Sequence, residues 1–127
     1  AVAAADVDSS VSSVTFADKD LDANQLGGVI TWAAPAAVAQ VAGYNVYFSQ
    51  SNVGASKSLI GGTVLVGTNA AAVSQNTPLG SHSHVTVYTL SSLAEQTTPV
   101  AASMVDSDSS VANVVFPDQD LDATQLG

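Results

Sequence analysis

The opening of this chain recurs near its end, one hundred residues later and without a gap. Residues 1–27 and 101–127 are identical at 16 of 27 positions. Agreement at a fixed spacing is typical of repeat proteins, in which one supersecondary unit recurs along a long chain. The sequence therefore predicts a tandem array with a period of 100 residues.

This spacing divides the chain into one complete unit and the opening of another. We expect residues 1–105 to form the complete unit, with an acidic linker at 1–10. Residues 106–127 then hold the next linker and the first strand of a following unit. We expect the parent chain to continue in both directions, and the opening AVAAADV lacks the basic region and apolar length of a signal peptide.

Composition narrows the classes of partner. A hydrophobic content of 46% over 127 residues is enough for the core of one modest domain, and no apolar run approaches the roughly 20 residues of a membrane span. The formal charge of −9, with Lys19 and Lys57 as the only strong bases, predicts that the chain does not bind nucleic acid. Without cysteine there are no disulfides or thiolate metal sites.

Short segments rich in β-branched and aromatic residues alternate with turn residues, a pattern typical of an all-β domain. An alanine-rich stretch at 33–42 is predicted to be a loop, because Pro35 interrupts it and Gly43 closes it. The predicted strands lie at 11–16, 28–32, 44–49, 63–67, 84–90 and 99–105.

Several motifs resemble those of fibronectin type III-like and related immunoglobulin-like β-sandwiches. They are an alternating first strand that ends at Phe16, I-T-W-x-x-P at 30–35, Y-N-V-Y at 44–47 and V-T-V-Y at 85–88. The resemblance implies a sandwich of about seven strands per repeat. It also implies that Trp32 and Tyr44 lie in the core between the sheets, with Phe16 on the first strand.

Two longer phrases resemble repeats of very large repetitive proteins of dinoflagellate algae. They are D-x-D-L-D-x-x-Q-L-G-G-x-x-x-W at 18–32 and V-Y-T-L-S-S-L-A-E-Q-T-T-P at 87–99. This resemblance implies a surface or filament role, outside the cell or at its surface, and implies no chemistry.

Every aspartate lies in one of the two copies, so the acidity belongs to one place in each unit. The first copy holds Asp6, Asp8, Asp18, Asp20 and Asp22, and the second holds Asp106, Asp108, Asp118, Asp120 and Asp122. Clustered carboxylates are oxygen ligands that Ca²⁺ prefers. The D-x-D-x-D motif is not an EF-hand, because Ala23 occupies the position of its invariant glycine.

In a sandwich, the turn after the first strand lies at the end where the last strand leaves the domain. We therefore expect Asp18, Asp20 and Asp22 to face Asp106 and Asp108 of the linker, where Ca²⁺ would stiffen the joint between units. The alternative is a solvated acidic turn that keeps the array soluble.

Histidine and tyrosine supply further candidate sites. His82 and His84 would share one face of a strand, where they could bridge zinc or copper or simply face solvent. Tyr47 alternates with Tyr44 and would point outward, as a carbohydrate contact or a lateral contact between chains. No nucleophile motif accompanies the histidines, so we expect no enzymatic activity.

Two functional hypotheses follow from the sequence. The first is a structural repeat of an extracellular filament, fibre or stalk, whose partners are neighbouring repeats and identical chains. The second is an adhesin-type module that recognises glycan or protein through multivalency, since weak sites multiplied along an array bind strongly.

Overall fold

The fold is known from a computed structural model that describes residues 9–115, 117 and 124. The described residues form strands and connecting turns, with no helix among them. The strands are β1 (Ser12–Asp18), β2 (Gln25–Ala33), β3 (Gly43–Ser49), β4 (Ser58–Leu59), β5 (Val64–Leu65), β6 (Ala70–Pro78), β7 (His84–Leu90) and β8 (Val100–Ser103). The predicted all-β class is confirmed.

The strands form two antiparallel sheets packed as a sandwich. One sheet has the order β1-β2-β6, and the other has the order β4-β3-β7-β8 with β5 also pairing with β3. Eight strands replace the seven or so expected, because the segment between β3 and β6 forms two short pieces. The strand predicted at 63–67 is only two residues long, Val64–Leu65, and β4 precedes it.

Strand β6 was not among the predicted strands, and its composition explains why. Its sequence, AAAVSQNTP, contains three alanines, a proline and a single β-branched apolar residue, so it lacks the usual strand signal. It nevertheless pairs with β2 along most of its length. A side chain at Gly27 of β2 would lie 2.9 Å from Cα of Gln75, so this glycine permits the close approach of the two strands.

The core lies between the sheets and follows the alternation of each strand. Leu26, Ile30 and Trp32 of β2 face Tyr44 and Val46 of β3, and all five are buried. The rings of Trp32 and Tyr44 pack edge to face, with centroids 5.3 Å apart. Phe16 is partly buried and packs against this core from β1.

The two ends of the sandwich differ in what they carry. At one end lie the β1–β2 turn and the exit of β8, where the Met104 N–H donates to the Ser83 carbonyl at 2.9 Å. At the other end lie the entry of β1 and the β7–β8 loop, where the Thr89 hydroxyl donates to the Ser9 carbonyl at 2.8 Å. We call these the exit end and the entry end.

Candidate functional site

The β1–β2 turn at the exit end is built around two buried aspartates. Asp18 is the last residue of β1, and its Oδ1 accepts hydrogen bonds from the backbone N–H groups of Asp20 and Gly27, each at 3.0 Å. Asp20 Oδ1 accepts from the Asp22 N–H at 3.0 Å, and its Oδ2 accepts from the Asn76 N–H at 2.7 Å. The D-x-D-x-D motif therefore closes the turn and ties it to β6.

The segment that follows β8 docks on this turn. Asp106 Oδ2 accepts from the Asn24 N–H at 2.6 Å, and Asp18 Oδ2 accepts from the Ser107 N–H at 2.9 Å. Two residues later, the Ser109 N–H donates to the Leu21 carbonyl at 3.1 Å. The segment after β8 is thus held along the turn by two bonds between backbone N–H groups and carboxylates and by one backbone–backbone bond.

Asp18 is the anionic centre of the exit end. Burial alone would raise its pKa, but hydrogen bonds from the backbone of Ser107, Asp20 and Gly27, with the neighbouring Asp106 carboxyl, outweigh it and lower the pKa below its usual value. The ionised carboxylate is therefore the form that the folded turn favours.

The carboxylates of the exit end are the predicted ligands of Ca²⁺. Ca²⁺ takes six to eight oxygen ligands. Backbone N–H groups already occupy both oxygens of Asp18 and of Asp20, while Asp22 and Asp108 are exposed. Asp106 Oδ1 is buried without a hydrogen-bond partner among the described residues.

Within residues 9–115, 117 and 124, no three acidic or histidine side chains are grouped as ligands of a metal ion. The other predicted ligands, namely Asp6, Asp8, Asp118, Asp120 and Asp122, lie outside the described residues. Calcium binding by these carboxylates stays a prediction.

The entry end holds the opening of β1 through side chains of β7 and the β7–β8 loop. Besides the Thr89 bond to Ser9, the Gln96 amide Nε2 donates to the Ser10 hydroxyl at 2.9 Å. Val11, the next residue, is buried in the core. The chain is therefore fixed from its first described residue.

A polar and aromatic cluster covers the outer face of β3 and β7. Glu95 Oε2 accepts from the Tyr47 hydroxyl at 2.6 Å and from Asn45 Nδ2 at 2.7 Å, and its Oε1 lies 3.1 Å from Lys57 Nζ. The Lys57 ammonium lies 4.6 Å from the ring centre of Tyr47 and 4.2 Å from that of Tyr88. The two rings meet edge to face.

These contacts shift the pKa values of Tyr47 and Glu95. Burial, then the hydrogen bond and charge of Glu95, raise the pKa of Tyr47 to about 12. Burial would raise the pKa of Glu95, but hydrogen bonds from Tyr47, Asn45 and Lys57 outweigh it and lower the pKa. The hydroxyl of Tyr47, the predicted outward contact, is thus engaged within the unit.

The sequence carried one signal for this cluster. Between the two acidic copies, Glu95 is the only carboxylate and Lys57 the only strong base, so an ion pair between them was open to inference. The participation of Tyr88 had no such signal.

The histidines lie at the exit end in different surroundings. His84 begins β7, and its Nδ1 lies 2.7 Å from the Ser83 hydroxyl. His82 lies before the strand, its ring centroid 5.8 Å from that of Phe48 and its Nδ1 3.3 Å from the Leu79 carbonyl. The two residues therefore do not share a strand, and no third ligand joins them within the described residues.

An open groove of about 440 Å³ runs between the edges of β4 and β6. Its lining includes Phe48, Ile60, Val73 and Pro78.

Among the described residues there is no helix with the length and apolar character needed to cross a membrane. Comparison with models of known protein families gives no match, and neither does comparison with curated proteins.

Proposed function

We propose that this chain is a structural repeat: β-sandwich units joined end to end into a filament, fibre or stalk outside the cell or at its surface. The observation that carries the proposal is the second copy of the first 27 residues, at an offset of one hundred. The proposed location outside the cell or at its surface rests only on the resemblance to dinoflagellate repeats. The proposed end-to-end joining of units is supported by the residues described below.

The two copies share a backbone conformation at the positions where it is unusual. Ser13 and Asn113 have φ of 52° and 56°, and Asn24 and Thr124 have φ of 63° and 69°. Few non-glycine residues adopt positive φ. In the first copy, Ser13 lies where the pairing of β1 with β2 shifts register, and Asn113 has the same unusual φ at the equivalent position.

The same copies differ in burial. Val11 and Val14 are 3% and 9% exposed, whereas their counterparts Val111 and Val114 are 85% and 81% exposed. Side chains that the first copy buries against its own unit are thus open in the second. A following unit would bury them in the same way, which adds about 1.5–3 kcal/mol for each fully buried valine.

The bonding pattern of Tyr47 also favours a structural role over a binding role. In an adhesin-type module, an aromatic residue of this kind would keep its polar tip free for glycan or protein. Here the hydroxyl donates to Glu95 and the ring packs on Tyr88. The recognition of a glycan or protein through multivalency remains the second hypothesis, to be separated by experiment.

The joint does not depend on calcium in this proposal, since backbone N–H groups already pair with the buried carboxylates of the turn. A joint stiffened by bound Ca²⁺ would serve the same structural function by a different means. A calcium titration of a two-unit chain, monitored by its melting temperature, separates the two versions.

The proposal can be tested with a two-unit chain, in which Gly127 is followed by a second copy of residues 28–127. We expect the calorimetric enthalpy of unfolding to roughly double, at about 0.7 kcal/mol per added residue, as a second unit folds. X-ray scattering should show a maximum dimension that grows by one unit length for each unit added. A second unit that stays unfolded would contradict the proposal. Tight binding of a monomeric chain to immobilised glycans would also contradict it.

A further inference from the structure

The two ends of the unit hold the same residue of the repeat from opposite sides. At the exit end, the Ser109 N–H donates to the Leu21 carbonyl at 3.1 Å. At the entry end, the Ser9 carbonyl accepts from the Thr89 hydroxyl at 2.8 Å. Ser9 and Ser109 are the same position in the two copies, one hundred residues apart.

We propose that consecutive units are joined without a free linker, through the single residue Ser109. Its N–H is held by the β1–β2 turn of the unit that it leaves. Its carbonyl is held by the counterpart of Thr89 in the unit that it enters. This inference rests on the proposed function, and it specifies the partner surface as the entry end of a following unit of the same chain.

The residues on either side of Ser109 fit this assignment. Before it, the Ser107 N–H and the Asp106 carboxylate bond to the turn of the first unit. After it, Ser110 and Val111 correspond to Ser10, which accepts from the Gln96 amide, and to Val11, which is buried. The residues that bond to the first unit thus end at Ser109, and those that would bond to the next unit begin at the same residue.

The surfaces that would meet also match in chemistry. Leu21 is exposed on the β1–β2 turn at the exit end, and Leu93 is exposed in the β7–β8 loop at the entry end. The leucine at position 21 recurs in the second copy as Leu121. Stacking the exit end of one unit on the entry end of the next brings these apolar side chains to facing surfaces, where contact removes them from water.

An attachment of this kind fixes the angle between units. A flexible linker lets two domains reorient, whereas a joint with hydrogen bonds on both sides of one residue leaves few free torsions. We therefore expect a single distance between equivalent points of neighbouring units.

The test uses the two-unit chain described above, with a cysteine in place of Gly62 in each unit. Gly62 is exposed with no neighbour within 4 Å of an added Cβ, and the chain has no cysteine of its own. Electron–electron distance measurements between spin labels should give one narrow distribution. Inserting Gly-Ser-Gly-Ser between Ser109 and Ser110 should broaden it several-fold.

A pair of substitutions isolates the joint residue. Ser109→Pro removes the N–H that bonds to Leu21 and should broaden the distribution, whereas Ser109→Ala keeps both backbone groups and should leave it narrow. Because the proline could disturb folding, Thr89→Val in the second unit provides an independent variant. It removes the hydroxyl that holds the Ser109 carbonyl, and it should broaden the distribution as well.

The surface contact has its own variant and control. Leu21→Ser in the first unit with Leu93→Ser in the second should broaden the distribution. Val29→Ser is the matched control, because Val29 is about as exposed as Leu21 but lies in the middle of β2, between the two ends. It should change nothing.

Equal widths with and without the inserted linker would overturn the inference. If both units fold and the chain lengthens with each unit but the distance distribution is broad, the units are joined flexibly. The inference about Ser109 would then be wrong, while the proposed function would stand. If the second unit does not fold, the proposed function fails as well.

Discussion

The hydroxyl of Tyr47 donates a 2.6 Å hydrogen bond to Oε2 of Glu95, across 48 residues of sequence. This bond joins β3 to the β7–β8 loop, and it lies beneath the ammonium group of Lys57. It also couples the stability of the unit to pH at both extremes.

At alkaline pH we expect Tyr47 to weaken the fold. Its pKa is raised to about 12, while an unfolded tyrosine titrates near 10. The unfolded chain therefore releases the proton first, so the stabilising contribution is complete below about pH 10 and disappears as the pH rises through 12. Urea unfolding at pH 9 and pH 11.5 should show a smaller loss for Tyr47→Phe than for the unchanged chain. Equal losses would contradict the assignment.

Replacing the carboxylate tests the same bond from its other side. Glu95→Gln should lower the free energy of unfolding by about 1–2 kcal/mol, because charge-assisted hydrogen bonds become neutral ones. It should also bring the pKa of Tyr47 down, as read from tyrosinate absorbance. The coupling can be measured by a double-mutant cycle with Tyr47→Phe, and strictly additive effects would argue against a direct interaction.

The buried aspartate of the β1–β2 turn should control stability in acid. Because hydrogen bonds lower the pKa of Asp18, the unfolded chain takes up the proton first as the pH falls. Its contribution is thus complete above the usual aspartate pKa of about 3.9 and is lost below it. Asp18→Asn should cost about 2 kcal/mol at pH 7 and should flatten the acid-side loss in urea unfolding.

Asp108→Asn is the matched control for that substitution. Asp108 belongs to the same acidic group but is exposed, and its one hydrogen bond shown is a long contact of 3.5 Å with the Ser110 hydroxyl. We expect a change within about 0.5 kcal/mol. Similar losses for both variants would mean that net charge, rather than the turn bonds, sets stability.

Gly54 should not tolerate a side chain. Its φ is +85°, and an added Cβ would collide with the hydroxyl of the buried Tyr88. Gly54→Ala should therefore destabilise the unit by about 1–3 kcal/mol. Gly62→Ala, with open space around it, should be neutral, and thermal melting of the two variants would check the difference.

The core tyrosine offers a stabilising substitution. The hydroxyl of Tyr44 is fully buried and has no hydrogen-bond partner among the described residues. Tyr44→Phe removes this cost, so the free energy of unfolding should stay equal or rise by about 1 kcal/mol. A loss above 1 kcal/mol would show that the hydroxyl is hydrogen bonded in solution.

The fold class was predictable because the strands that carry the core are rich in β-branched and aromatic residues. Trp32 and Tyr44 lie in such strands, and both are buried, as the resemblance to fibronectin type III-like sandwiches implied. Strand β6 was missed because alanine, serine and glutamine carry no strand signal. Its pairing with β2 comes from tertiary contact, which overrides local propensity.

The candidate site was only partly predictable, for a different reason. The sequence showed acidic residues in the first turn and in the linker that follows the last strand, and the domain geometry predicted that the turn would face the linker. The bonds of Asp18 and Asp20 to the N–H groups two residues on follow a common turn pattern of aspartate. Their bonds to the N–H groups of Ser107 and Asn76, which are distant in sequence, could not be read from the spacing. The bond from the Asn24 N–H to Asp106 spans 82 residues, and no local pattern indicates it.

The strand arrangement also determines how the unit responds to tension. Strands β1 and β8 both run from the entry end to the exit end, and they lie in different sheets. If units are joined as proposed, a pull along the array acts parallel to the strands. Because the ladder hydrogen bonds are perpendicular to the strands, the bonds of β1 with β2 and of β8 with β7 would then be sheared together. Such units should resist force far better than a hairpin opened bond by bond, and in single-molecule pulling they should yield one high rupture for each unit.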